Sequence, residues 1–136
     1  MKLRLVSLIS CLFCMLSANS LSAQDDVIPE PVPLVEEGAY DIINFLLIGG
    51  DSADTRYAGR TDVIMVVSVN RTTGTVALLS IPRDLYVYIP GYRVYRINTA
   101  YPHGESIDSV DGGVGLLKET IEYNLGLHID YYAYVD

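Results

Sequence analysis

Five side chains able to handle phosphate or a metal ion sit within one stretch of this chain: Asp51, Arg60, Asp62, Arg83 and Asp84. Each falls at the boundary of an apolar, β-type segment, where an α/β sheet presents its chemistry. Asp51 follows the pair Gly49-Gly50, which lets a ligand approach the backbone closely. Arg60 precedes Asp62 by two residues, so in extended chain both point to one side. Arg83-Asp84 follows Ile81-Pro82, and proline fixes the backbone just ahead of the arginine. Carboxylates are ligands for hard divalent cations, and guanidiniums grip phosphate oxygens in pairs. The grouping suits a divalent cation together with a pyrophosphate. Taken singly, each residue has a plainer reading: a solvated ion pair at a strand end, or for Asp51 a turn cap.

The elements that must position these residues follow from the hydrophobic pattern. Ile42 to Ile48 is a continuous apolar run, as expected of a strand buried on both faces. Asp62 to Val69 is a second strand and Thr75 to Ile81 a third. The turn Asn70-Arg71-Thr72-Thr73-Gly74 makes these two an antiparallel hairpin. Tyr86 to Ile89 is a short fourth strand, ended by Pro90-Gly91. A brief helical turn is expected between Arg96 and Gly104. Asp111 to Leu125 carries Val114, Leu117, Ile121 and Leu125 at helical spacing, with Gly126 as the C-terminal stop. His128 to Val135 is the last strand. The order β-β-β-β-α-β predicts an α/β fold with a mixed, partly antiparallel sheet covered by helices. The chain ends at a strand tip, so a truncated domain is expected.

The 136 residues are half hydrophobic and carry a formal charge of −8. That is a globular composition, sized for one domain. No basic run is present, so nucleic acid is excluded as a partner. An anionic ligand must be held by a local cluster of arginines.

Lys2 and Arg4, the apolar run Leu5 to Leu16, and the small residues through Ala23 form a secretory signal pattern over 1–23. The run is short for a spanning helix, which needs roughly 20 apolar residues. An uncleaved signal-anchor is the alternative. Residues 24–39 are rich in proline and acid and read as an extended linker, leaving 40–136 as the folded domain. Cys11 and Cys14 both lie in the leader, so cysteine nucleophiles and cysteine zinc sites are excluded from the mature domain. The expected location is extracytoplasmic, secreted or held at the membrane by the leader.

Read in order, LLIGGDS, GRTDVIMVVSVN, VALLSIPRDLYVYIPG, RINTAYPHG and GLLKETIEYNLGLHIDYYAYVD resemble the LytR-CpsA-Psr family over Ile43 to Asp136. Members of that family attach anionic glycopolymers to the bacterial cell wall. The resemblance implies an LCP-like α/β/α domain and a phosphotransferase. A sugar hydroxyl of peptidoglycan attacks the phosphorus next to the glycopolymer on a polyprenyl-pyrophosphate carrier. Polyprenyl phosphate leaves, and a phosphodiester link remains. Asp51 and Asp62 would hold Mg2+; Arg60 and Arg83 would act on the pyrophosphate as catalytic and binding residues. Arg96, where many relatives have lysine, and Asn98 would bind substrate, and Asp84 would orient Arg83. Partners would be the lipid-linked glycan, the peptidoglycan acceptor and the membrane surface beside the carrier. The resemblance also implies a second arginine cluster beyond the last strand, absent from this sequence. A non-catalytic module for polyprenyl phosphates or wall glycans, and a lipid-pyrophosphate hydrolase, are the alternatives.

Overall fold

The computed structural model describes residues 27–36, 38–50, 59–107 and 109–135. The leader and the candidate ligand Asp51 lie outside the described residues. Among the described residues no helix is long and apolar enough to cross a membrane.

The elements are β1 (Ile42–Gly50), β2 (Thr61–Asn70), β3 (Thr75–Ser80), β4 (Tyr86–Tyr88) and β5 (Val94–Arg96). A 3-10 turn (Ile97–Thr99), α1 (Ala100–Ser106), α2 (Gly112–Leu125) and β6 (Tyr131–Val135) follow. The main sheet has four strands in the order β3-β2-β1-β6. It is mixed, as expected: β1–β2 and β2–β3 are antiparallel, and β1–β6 is parallel. The second and third strands do form the expected hairpin. Asn70 Oδ1 accepts from the amides of Thr72 and Thr73, and Gly74 takes a positive φ of 70°. This is asparagine doing locally what a backbone turn would do.

One strand goes beyond the sequence reading and one helical turn is longer than expected. Val94–Arg96, which the sequence pattern left unassigned, is a strand and pairs antiparallel with β4 as a separate two-stranded ribbon. Pro90-Gly91 ends β4 as expected and also reverses the chain into β5. The expected helical turn is two pieces, the 3-10 turn and α1, which runs two residues past Gly104.

Both helices lie on one face of the sheet. Leu46, Ile48, Ile64 and Val66 point into that side and are buried with Leu117 and Ile121 of α2. The predicted stripe on α2 is thus the core face, and it is broader than predicted, because Leu116 and Thr120 are buried as well. The extra width faces α1. Gly104 and Gly113 sit at that crossing, where a β-carbon on Gly113 would lie 2.3 Å from the Tyr101 carbonyl oxygen. Glu105 Oε1 accepts from the Gly113 amide at 2.6 Å and satisfies a free donor in the first turn of α2.

Residues 27–36 have no regular secondary structure, yet they are docked. The amides of Val32 and Val35 donate to the carbonyls of Tyr123 and Gly126, both at 2.8 Å. The strap crosses Gly126, the predicted helix stop, whose φ is 67°. A side chain there would meet the Pro33 carbonyl oxygen at 2.3 Å.

The opposite face of the sheet carries Phe45, Leu47, Val63, Met65, Val67, Val76, Leu78, Tyr131 and Val135 by strand alternation and register. Among the described residues no helix covers it, and Leu78 and Val135 are each 68% exposed. The apolar run of β1 is therefore half core and half surface.

Candidate functional site

Asp62 owes its position to a β-bulge. Gly49 pairs with Val63 and Gly50 with Thr61, so Asp62 has no partner across the ladder. Two residues opposing one is the mark of a bulge, and bulges re-aim side chains. The burial pattern records the effect: Thr61 and Ile64 are buried, while Asp62 and Val63 between them are both exposed. Unbroken alternation would put Asp62 in phase with Ile64 and Val66, in the apolar core. The bulge moves this carboxylate to solvent, where ionisation is cheap.

Asp62 meets Arg83 there. Arg83 Nη1 donates to Asp62 Oδ1. Arg83 Nε lies 3.6 Å from Asp84 Oδ2, and Arg96 Nη1 donates to Asp84 Oδ1 at 3.3 Å. The result is a row of alternating charge, Asp62–Arg83–Asp84–Arg96, spanning the start of β2, the loop after β3 and the end of β5. Asp62, followed by Asp84, holds the Arg83 guanidinium above the usual arginine range. Tyr86 and Asp84 do the same for Arg96. Both stay charged at any working pH.

Of the sequence-predicted residues, Asp62, Arg83, Asp84 and Arg96 are brought together. Arg60 stands exposed just before β2 and has no ion pair among the described residues. Its expected convergence with Asp62 rested on strand alternation, which the bulge breaks. Asn98 is 96% buried, in the 3-10 turn; its amide donates to the Arg83 carbonyl at 3.2 Å, and its side-chain Oδ1 has no partner. Asn98 thus supports the backbone that carries Arg83.

Sequence reasoning did not bring Tyr134 to Gly50. A β-carbon on Gly50 would lie 2.1 Å from its hydroxyl oxygen, so glycine at the site end of β1 leaves room for this phenol. Tyr134 in turn stacks on Tyr101 at 5.3 Å. Gly49-Gly50 reads in the sequence as a place for ligand approach, and nothing local signals a partner on the last strand. Beside the bulge, Leu47, Ile48, Gly49, Val63 and Val135 line an apolar recess of about 270 Å³. A charged row and an oily recess therefore share one end of the sheet.

The donor set bears on a metal. Among the described residues no three histidines, cysteines or carboxylates group together. Magnesium needs no cage: it keeps waters and is held by one or two carboxylates plus substrate phosphates. Asp62 is half exposed and meets Arg83 through Oδ1, which leaves Oδ2 to fit that requirement.

A model of the LytR_cpsA_psr family matches residues 15–136. The chain belongs to this family. It is 44% identical over 90 residues, 65% of its length, to the polyisoprenyl-teichoic acid–peptidoglycan teichoic acid transferase TagU of Oceanobacillus iheyensis, of which it covers 27%. It is 39% identical over 104 residues, 66% of its length, to the probable cell wall biosynthesis protein LcpB of Corynebacterium glutamicum, of which it covers 23%. Among solved structures it is similar to the LytR-CPS2A-psr family protein YwtF (TagT) with bound octaprenyl pyrophosphate lipid. There the identity is 32% and the TM-score 0.58, over 77% of this chain and 39% of that one. The LytR_cpsA_psr chain thus spans about a quarter of the length of the curated relatives it matches. Its mixed sheet with two helices is the part of the family fold that it shares with TagT.

Proposed function

We propose that this chain carries the site of an extracytoplasmic phosphotransferase, which moves a glycopolymer from a polyprenyl-pyrophosphate carrier to peptidoglycan through a phosphodiester link. The observation that carries the reading is the bulge, which sets Asp62 against Arg83 beside an apolar recess. A polyprenyl pyrophosphate is a dianionic head on an oily tail, and both halves find a match at one end of the sheet. The similarity to a TagT structure holding octaprenyl pyrophosphate supports the same ligand class.

In this reading Arg83 binds the pyrophosphate with the N–H groups that Asp62 does not use. A guanidinium has five, enough to serve a carboxylate and a phosphate together. Arg60 adds a second fork from the head of β2. Such donors stabilise the charge that grows on the phosphoryl and leaving oxygens, the main source of catalysis in phosphoryl transfer. Asp84 orients Arg83 and Arg96, and Asn98 holds the backbone between them. Asp62 and Asp51 would hold magnesium, which supplies further neutralisation of the pyrophosphate. The recess at Val63 takes the first isoprene units. The leader places the domain outside the cytoplasm, at the membrane that carries the donor.

The deciding experiment follows labelled glycan from a polyprenyl-pyrophosphate donor to peptidoglycan in the intact protein. Transfer is expected with the native protein and lost with Asp62→Ala. Unimpaired transfer in that variant overturns the reading. Donor binding without transfer indicates a binding module, and release of free glycan phosphate to water indicates a hydrolase. Affinity for a polyprenyl pyrophosphate analogue that ignores magnesium removes the metal from the scheme.

A further inference from the structure

The β4–β5 ribbon reverses at Ile89-Pro90-Gly91-Tyr92. The Tyr92 amide donates to the Ile89 carbonyl at 3.0 Å, and Gly91 takes a φ of 71°. Proline then glycine with positive φ at the two central positions is the type II turn. The Ile89 amide donates to the Arg93 carbonyl at 2.9 Å and closes the reversal. Arg93 therefore leaves a turn whose backbone is fixed at both ends.

Its side chain is fixed as well. The Arg93 Cζ lies 4.6 Å from the ring centroid of Tyr92 and 4.7 Å from that of Tyr95. The rings are themselves held: Tyr92 stacks on His103 of α1 at 4.0 Å, and Tyr95 meets Tyr86 edge-on at 6.0 Å. Two ring contacts on a planar cation leave its N–H edge as the part offered to solvent. Arg71, Arg83 and Arg96 each have a carboxylate partner. Arg93 has none among the described residues, in a chain of net charge −8. It also borders a recess of about 160 Å³ with Tyr88, Tyr92 and Val94.

We propose that Arg93, clamped by Tyr92 and Tyr95, is a second anion-binding group, separate from the Arg83 row, that takes a phosphate of a phosphate-bearing glycan. The clamp has already restricted the side chain, so less freedom is lost when the fork closes on two oxygens. The exposed edges of Tyr86, Tyr92 and Tyr95 offer apolar rims to the sugar beside the phosphate. Arg93 directly precedes β5, and Arg96 ends it, roughly 10 Å further on at strand rise, so the clamp and the charged row lie along one ribbon. An anionic bilayer is a poorer match: surface attachment needs several basic residues together, and here one unpaired cation faces it from an acidic chain. Identifying the phosphate as part of a glycan rests on the transferase reading; the anion site does not.

The test is a titration of the isotope-labelled full chain, following the Arg93 side-chain Nε–H resonance. The probes are a phosphodiester-linked disaccharide, its uncharged parent, inorganic phosphate, and phosphatidylglycerol vesicles. The resonance is expected to shift saturably with the phosphodiester and with inorganic phosphate at higher concentration, but not with the parent sugar. Arg93→Lys keeps the charge and loses the fork, and should weaken phosphodiester binding about tenfold. A silent Arg93 in the native chain, or equal affinity in the lysine variant, overturns the proposal. A shift with vesicles alone assigns the clamp to a lipid headgroup and also overturns it. The native titration stands even if the variant misfolds. These probes hold neither polyprenyl nor pyrophosphate, so a negative result leaves the transferase reading intact, and a failed transfer assay leaves the anion site intact.

Discussion

Arg83 donates a hydrogen bond to Asp62, tying the loop after β3 to the bulge at the head of β2. Both side chains are close to half exposed. Exposed ion pairs add little to stability, so the use of this one is to hold a guanidinium in place. Arg83→Ala should melt within a few degrees of the native chain and lower glycan transfer at least about a hundredfold. Arg83→Lys should rescue little, because a point charge does not replace a fork. Thermal melts and transfer assays run side by side check this. Loss of fold and activity together would make Arg83 a structural residue.

Asn124 acts as a strand neighbour to Tyr88 without being in a strand. Its Nδ2 donates to the Tyr88 carbonyl at 2.7 Å, and its Oδ1 accepts from the Tyr88 amide at 3.0 Å. This double bond pattern fastens the ribbon to α2. Asn124→Leu leaves both backbone groups unpaired and should cost about 2 kcal/mol. Asn124→Asp, which keeps only the acceptor, should fall between. Urea midpoints at constant m-value measure both.

Gly50→Ala should destabilise through Tyr134, by about 1–3 kcal/mol for an overpacked site. The same substitution in a Tyr134→Ala background should cost much less, since the phenol that the methyl meets is gone. A double-mutant cycle reads the coupling. Additive effects would mean that the two positions do not share this space.

Burial, helped by the nearby Glu105, raises the Tyr101 phenol above its ordinary value of 10.0. The folded chain then holds this proton more tightly than the unfolded one. Below about pH 10 both states keep it and stability is unaffected; above that the unfolded state ionises first and stability falls. Tyr101→Phe should flatten the alkaline loss, seen as denaturant midpoints against pH. An unchanged alkaline slope would show that other groups set it.

The sheet was legible because long apolar runs, a glycine-closed turn and a helical stripe are each local signals. The nearness of Asp62, Arg83 and Asp84 was legible too, since strand ends are where a sheet displays charge, whereas Arg96 was reached only through the family resemblance. The bulge was not legible: alternation assumes an unbroken ladder, and Asp62 leaves it through a partner on β1. Val94–Arg96 was missed because three residues are too few to show a period. Its turn, proline then glycine between tyrosine-rich runs, was the available clue. Tyr134 and Asn124 are visible only once distant elements meet.

Asn44 shows how late one such meeting comes. It bonds Asp130 and the His128 carbonyl, joining residues 86 positions apart, and through them β6 settles beside β1. The hairpin of β2 and β3, by contrast, closes over one short turn. Loop closure across most of the chain is slow relative to local pairing. β1, first along the chain, therefore waits for its second neighbour until residues 86 positions apart have met.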